Sequence, residues 1–121
     1  MNFIYNILII IFLTFNKSVF SELHGKYCGN IFGNEINITA IDNNSNISAN
    51  VFGEQLNCRN EKFILNNNTL LFTKNESDCL NKNLKDLGAC PCPPNVIYDL
   101  KANKLEILDT PVGTIFLNNC I

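Results

Sequence analysis

With 121 residues, six of them cysteine and none tryptophan, the chain suits one small domain rather than two. Nine basic residues stand against eleven acidic ones. They are spread along the chain, which argues against nucleic acid or an anionic membrane surface as a partner, since both call for clustered Lys and Arg.

Residues 1–21 read MNFIYNILIIIFLTFNKSVFS, and Ile7 to Phe15 form an apolar block without charge. That block is shorter than the roughly 20 apolar residues that span a bilayer and has the length of a secretory signal core. Val19 and Ser21 place the expected cut after Ser21, although no Lys or Arg precedes the block. An uncleaved anchor is the alternative. Cleavage leaves residues 22–121 with eight basic and eleven acidic residues, a net charge of −3. The ending FLNNCI offers neither an apolar tail for a lipid anchor nor a retention signal. The expectation is a secreted, extracellular protein with no stable membrane insertion.

All six cysteines, Cys28, Cys58, Cys79, Cys90, Cys92 and Cys120, lie beyond the cut. An even number in a short exported chain predicts three disulfides, for which 15 connectivities exist. A metal site is disfavoured, because Cys90-Pro-Cys92 has no second closely spaced pair and His24 is the only histidine. A Cys90–Cys92 bond would close a very small ring. The expected pairing is therefore Cys58–Cys79, with Cys28 and Cys120 reaching Cys90 and Cys92.

From Lys26 to Thr73 the chain follows strand rules. Ile36, Ile38 and Ala40 alternate with Asn37 and Thr39, and Ile47, Ala49 and Val51 alternate with Asn46, Ser48 and Asn50. Asn43-Asn44-Ser45 predicts the turn between them, and Gly53 closes the second strand. FILNNNTLLF predicts another hairpin turning at Asn66–Asn68, since asparagine tolerates the left-handed backbone of tight turns. Five asparagines, Asn37, Asn43, Asn46, Asn67 and Asn75, open Asn-x-Ser/Thr sequences. Chance predicts roughly 1.5 such sites here, so N-glycosylation is expected.

Next comes CLNKNLKDLGACPCPP, residues 79–94. Ser77 can cap a helix whose stripe is Cys79, Leu80, Leu84 and Leu87, with Lys82 and Lys85 outside and Gly88 as its stop. Pro91, Pro93 and Pro94 then forbid regular structure. The favoured reading of residues 89–94 is a stapled connector, and the alternative is a rigid loop of the kind protease inhibitors present to a partner.

The last third predicts a three-stranded meander, NVIYDLK, KLEILD and TIFLN, with turns at Ala102-Asn103 and Thr110-Pro111-Val112-Gly113. Its strands are apolar on both faces, for example Ile115 and Leu117 against Phe116. One face should cover the core while the other lies under the helix, meets a partner or lines a cavity, with coverage by the 79–87 leucine stripe preferred.

Together these elements predict a mainly β fold: a small disulfide-stapled antiparallel β-barrel or sandwich of about eight strands with one inserted short helix. The opening LHGKYCG resembles the first-strand Gly-x-aromatic signature of lipocalins and fatty-acid-binding proteins, with Gly25 and Tyr27 at the matching places. The resemblance spans a handful of residues, the usual tryptophan is absent, and a typical lipocalin is longer. It implies at most a barrel of that kind.

No catalytic or cofactor signature is visible. His24 sits beside the cut, and the spacing of Asp99, Glu106 and Asp109 singles out no acid–base pair. A secreted non-enzymatic binding protein is therefore expected. One reading has it carry or sequester a small apolar ligand among Tyr27, Phe52, Phe72, Tyr98 and Phe116. The other has it bind an extracellular protein through residues 89–94, as an inhibitor or adhesin-like module.

Overall fold

The computed structural model describes residues 23–51 and 53–120; the expected signal segment and Phe52 lie outside the described residues. Eight strands follow in chain order: β1 (Gly25–Ile31), β2 (Asn34–Ile41), β3 (Asn44–Val51), β4 (Glu54–Asn66), β5 (Thr69–Phe72), β6 (Asn95–Asp99), β7 (Lys104–Thr110) and β8 (Gly113–Asn119). Each pairs antiparallel with the next, and β8 returns to β1, which closes an up-and-down barrel. One helix, α1 (Cys79–Asp86), is inserted between β5 and β6.

Alternation puts one side chain in two inside. Tyr27, Ile38, Ala40, Ile47, Leu56, Phe63, Leu70, Val96, Leu105, Ile115 and Leu117 are buried in a single core. The hairpins turn where the sequence supplies left-handed residues. Asn67 and Asn68 have φ of 49° and 64°, the geometry that lets two residues reverse a right-twisted hairpin.

β4 is the long strand, with 13 residues. Its register against β3 shifts between Ser45 and Ile47, where Asn60 adopts φ 58° and its N–H bonds the Asn46 side chain. Such a bulge bends a strand and changes which residues point inward. Cys58, Glu61 and Phe63 are consequently all buried.

Two seams of the barrel are short. β1 and β8 meet through two residue pairs, and so do β5 and β6. Gly29 permits the first approach, since a Cβ there would stand 2.6 Å from the Phe116 carbonyl oxygen. Cys28–Cys120 staples this seam. At the second, β5 pairs with only the last four residues of β4, and α1 is tied to the remainder of β4 by Cys58–Cys79.

The predicted Cys58–Cys79 pair is thus present, whereas the predicted link from Cys28 and Cys120 to the clamp is not. Barrel closure brings Cys28 and Cys120 together, and Cys90 bonds Cys92 instead. The Cα atoms of Cys90 and Cys92 are 4.7 Å apart, inside the range that disulfides accept.

The helix start also differs from expectation. Asp78, not Ser77, is the N-cap and makes no side-chain cap bond, while the Ser77 hydroxyl donates to Asn75 Oδ1 at 2.7 Å. The carboxyl end matches the prediction. Gly88 has φ 68°, its N–H bonds the Lys85 carbonyl, and the Ala89 N–H reaches the Leu84 carbonyl, a Schellman ending.

Candidate functional site

In an up-and-down barrel alternate connections share an end. The β1–β2, β3–β4 and β7–β8 turns therefore stand together with the long β5–β6 connection, which contains α1 and the Pro-Cys loop. The two ends of the barrel differ. At the far end Tyr27 is fully buried and packs edge-to-face with Tyr98, their ring centres 6.2 Å apart. Both hydroxyls donate to Asn103 Oδ1, at 2.8 and 3.1 Å. Burial, with Tyr98 adjoining, pushes the Tyr27 phenol up to about 12. This end is filled and hydrogen-bonded.

At the helix end an apolar cavity of about 130 Å³ remains, close to the size that holds one benzene-sized molecule in an aliphatic core. Counting the open space of its mouth, the atom-free volume is about 960 Å³. Residues of all eight strands line it, including Ile31, Ile36, Ile47, Leu56, Phe72, Val96, Ile107 and Ile115. The β7–β8 register shifts between Ile107 and Thr110, Asp109 takes φ 57°, and Leu108 joins the lining beside Ile107. Among the described residues only Asn34 and Thr110 bring polar side chains to it. The Thr110 hydroxyl is engaged by the Gly113 carbonyl and the Val112 N–H.

The lid comes from the β5–β6 connection. Leu80 and Leu84 of α1 and Ala89, Pro91 and Pro94 of the loop all line the cavity. Three contacts fix the amino end of α1. Besides the disulfide, Asn81 Nδ2 donates to the Thr73 and Asn75 carbonyls at 2.9 and 2.8 Å. The third is Glu61, whose Oε1 accepts the Leu80 N–H at 3.1 Å. A strand residue thus supplies the acceptor that Asp78 withholds. Glu61 is 8% exposed. Burial pushes its carboxyl above the usual carboxylate value, the Leu80 N–H offsets part of that rise, and Asp78 adds to it. Ligand atoms of Cys58, Glu61 and Cys79 lie within 4.8 Å of one another. Their two sulfurs are spent on the disulfide, so no thiolate is left there to bind a metal.

The structure redistributes the expected ligand residues. Phe72 lines the cavity, but Tyr27 and Tyr98 belong to the filled end, and Phe52 lies outside the described residues. Phe116 faces outward, 51% exposed, with Lys104 Nζ 4.8 Å from its ring centre. The leucine stripe does not cover the outer face of the meander. α1 sits by β4, and its leucines turn to the cavity. The lining is largely aliphatic rather than aromatic, and the inward strand positions nearest the helix-end turns supply it. Asn43, Asn46, Asn67 and Asn75 are exposed and Asn37 is half-buried. Asp99 Oδ1 accepts the Ala102 N–H, Glu106 approaches Lys104, and Asp109 accepts the Asn95 amide. His24 approaches Asp42 at 3.4 Å.

No protein-family model, curated protein or solved structure matches this chain.

Proposed function

We propose that this chain is an exported, disulfide-stabilised carrier or sequestering protein that holds a small apolar ligand at the helix end of its barrel. The observation that carries the reading is the cavity itself, walled by aliphatic side chains and Phe72 and roofed by Leu80, Leu84, Pro91 and Pro94. Concave, mostly apolar spaces with few polar groups are where small ligands bind. The role is binding rather than catalysis. Three disulfides with no free cysteine suit an oxidising, extracellular setting, as do the five glycosylation sequences. Two of the three prolines of loop 89–94, Pro91 and Pro94, line the cavity, which supports a lid more than an inhibitory loop.

An environment-sensitive apolar dye should gain fluorescence with the oxidised protein and be displaced by small hydrocarbons. Ala49→Phe, which fills the cavity from β3, should abolish that gain while the circular dichroism of the barrel persists. Undiminished dye binding by a folded Ala49→Phe protein would sink the assignment to this cavity.

A further inference from the structure

We infer that the cavity selects uncharged ligands and takes an ionisable one only in its neutral form, a specificity that rests on the carrier reading above. Its described lining contains no Lys, Arg, His, Asp or Glu, and its two polar side chains are the neutral Asn34 and Thr110. An ionised group moved from water into such a wall loses its hydration and meets no opposite charge, so it binds by becoming neutral.

The surroundings point the same way for acids. Glu35 and Glu54, at the starts of β2 and β4, are exposed beside the helix-end turns, and so is Asp109 of β7. Among the described residues the one buried charge-bearing side chain is Glu61, on the Leu80 N–H, with Asp78 half-buried next to it. All five are acidic. Lys82 and Lys85 of α1 are exposed, while the lid's Leu80 and Leu84 face the cavity. An anionic head group therefore meets apolar wall inside and carboxylates around the mouth. The enclosed volume of about 130 Å³ sets the size of a probe that is wholly surrounded, a single six-membered ring.

Fluorobenzene and para-fluorobenzoic acid make a matched pair for fluorine NMR titration of the oxidised protein. Fluorobenzene should bind with one affinity across the pH range. The acid, which titrates near about pH 4, should compete for the same site and weaken about tenfold per pH unit above that point. At about pH 7 it should bind at least 100-fold more weakly than fluorobenzene. The constant fluorobenzene affinity separates the ligand's own titration from that of Glu61 and the mouth carboxylates. Acid affinity that stays level with pH, close to that of fluorobenzene, would overturn the selectivity and leave the carrier reading standing. Failure of fluorobenzene to bind at any pH would reject the carrier reading and this inference with it.

Discussion

Phe72 and Phe116 are both strand residues of one barrel, and the pleat decides their roles. Phe72 points inward to the cavity, whereas Phe116 points out beneath the Lys104 ammonium. Sequence alternation separates the two faces of a strand but does not say which inward residues meet a filled end and which an open one. That is why Tyr27 and Tyr98 read as ligand residues in the sequence, whereas in the fold both bond Asn103 at the filled end. Glu61 shows the same limit with charge, because a carboxylate in a strand reads as solvent-facing, yet this one is buried under α1 and caps it. Its raised folded-state value has a definite sign. A carboxyl that holds its proton more tightly when folded stabilises fully below its unfolded value, and that share is lost as pH rises through the folded value. The contribution of Glu61 to stability should therefore decline as pH rises above the usual carboxylate value. Glu61→Gln keeps an acceptor for the Leu80 N–H and removes the titration, so its denaturant midpoint should lose that part of the decline. Equal pH slopes for the two proteins would show that Glu61 does not titrate as described.

At the scale of elements, β2 and β3 were legible from their local alternation, and the closing meander from its turn residues, such as Asn103 between β6 and β7. The helix was legible from Leu80, Leu84 and the Gly88 stop. The first part of β4 was not, since its bulge at Asn60 breaks the alternation and puts Glu61 where an apolar residue is expected. Disulfide pairing was only partly legible, because Cys28 and Cys120 meet through closure of β8 on β1, a property of the whole ring that no local spacing encodes. The three bridges should also differ in strength. Their sequence separations are 92, 21 and 2 residues. Loop-closure entropy then ranks their removal at about 5, about 3 and about 1 kcal/mol. Paired Cys→Ser variants unfolded in urea should follow that order, with Cys28/Cys120 the most costly. A loss at Cys90/Cys92 equal to that at Cys58/Cys79 would mean that the loop, rather than α1, holds the lid.

Over the whole molecule, the barrel is packed at one end and hollow at the other, and that asymmetry separates a carrier from a barrel that merely folds. In a filled barrel every inward residue is in contact, and adding atoms forces neighbours off their rotamers at a cost of about 1–3 kcal/mol. Beside a hollow the added atoms enter free space and remove apolar surface from water, a change that commonly stabilises by about 0.5–2 kcal/mol. Ala49 and Ala40 stand on neighbouring strands and point inward, but Ala49 lines the cavity and Ala40 is fully buried in the core. Ala49→Leu should therefore leave stability unchanged or raised, while Ala40→Leu should lower it, both measured by urea unfolding. A ligand adds a second signature. An apolar compound present at 100 times its Kd raises wild-type stability by about 2.7 kcal/mol, and Ala49→Leu should lose that response because the space is already taken. If both substitutions destabilise alike and no apolar compound shifts the wild-type transition, the helix end is closed in solution and the carrier assignment is wrong.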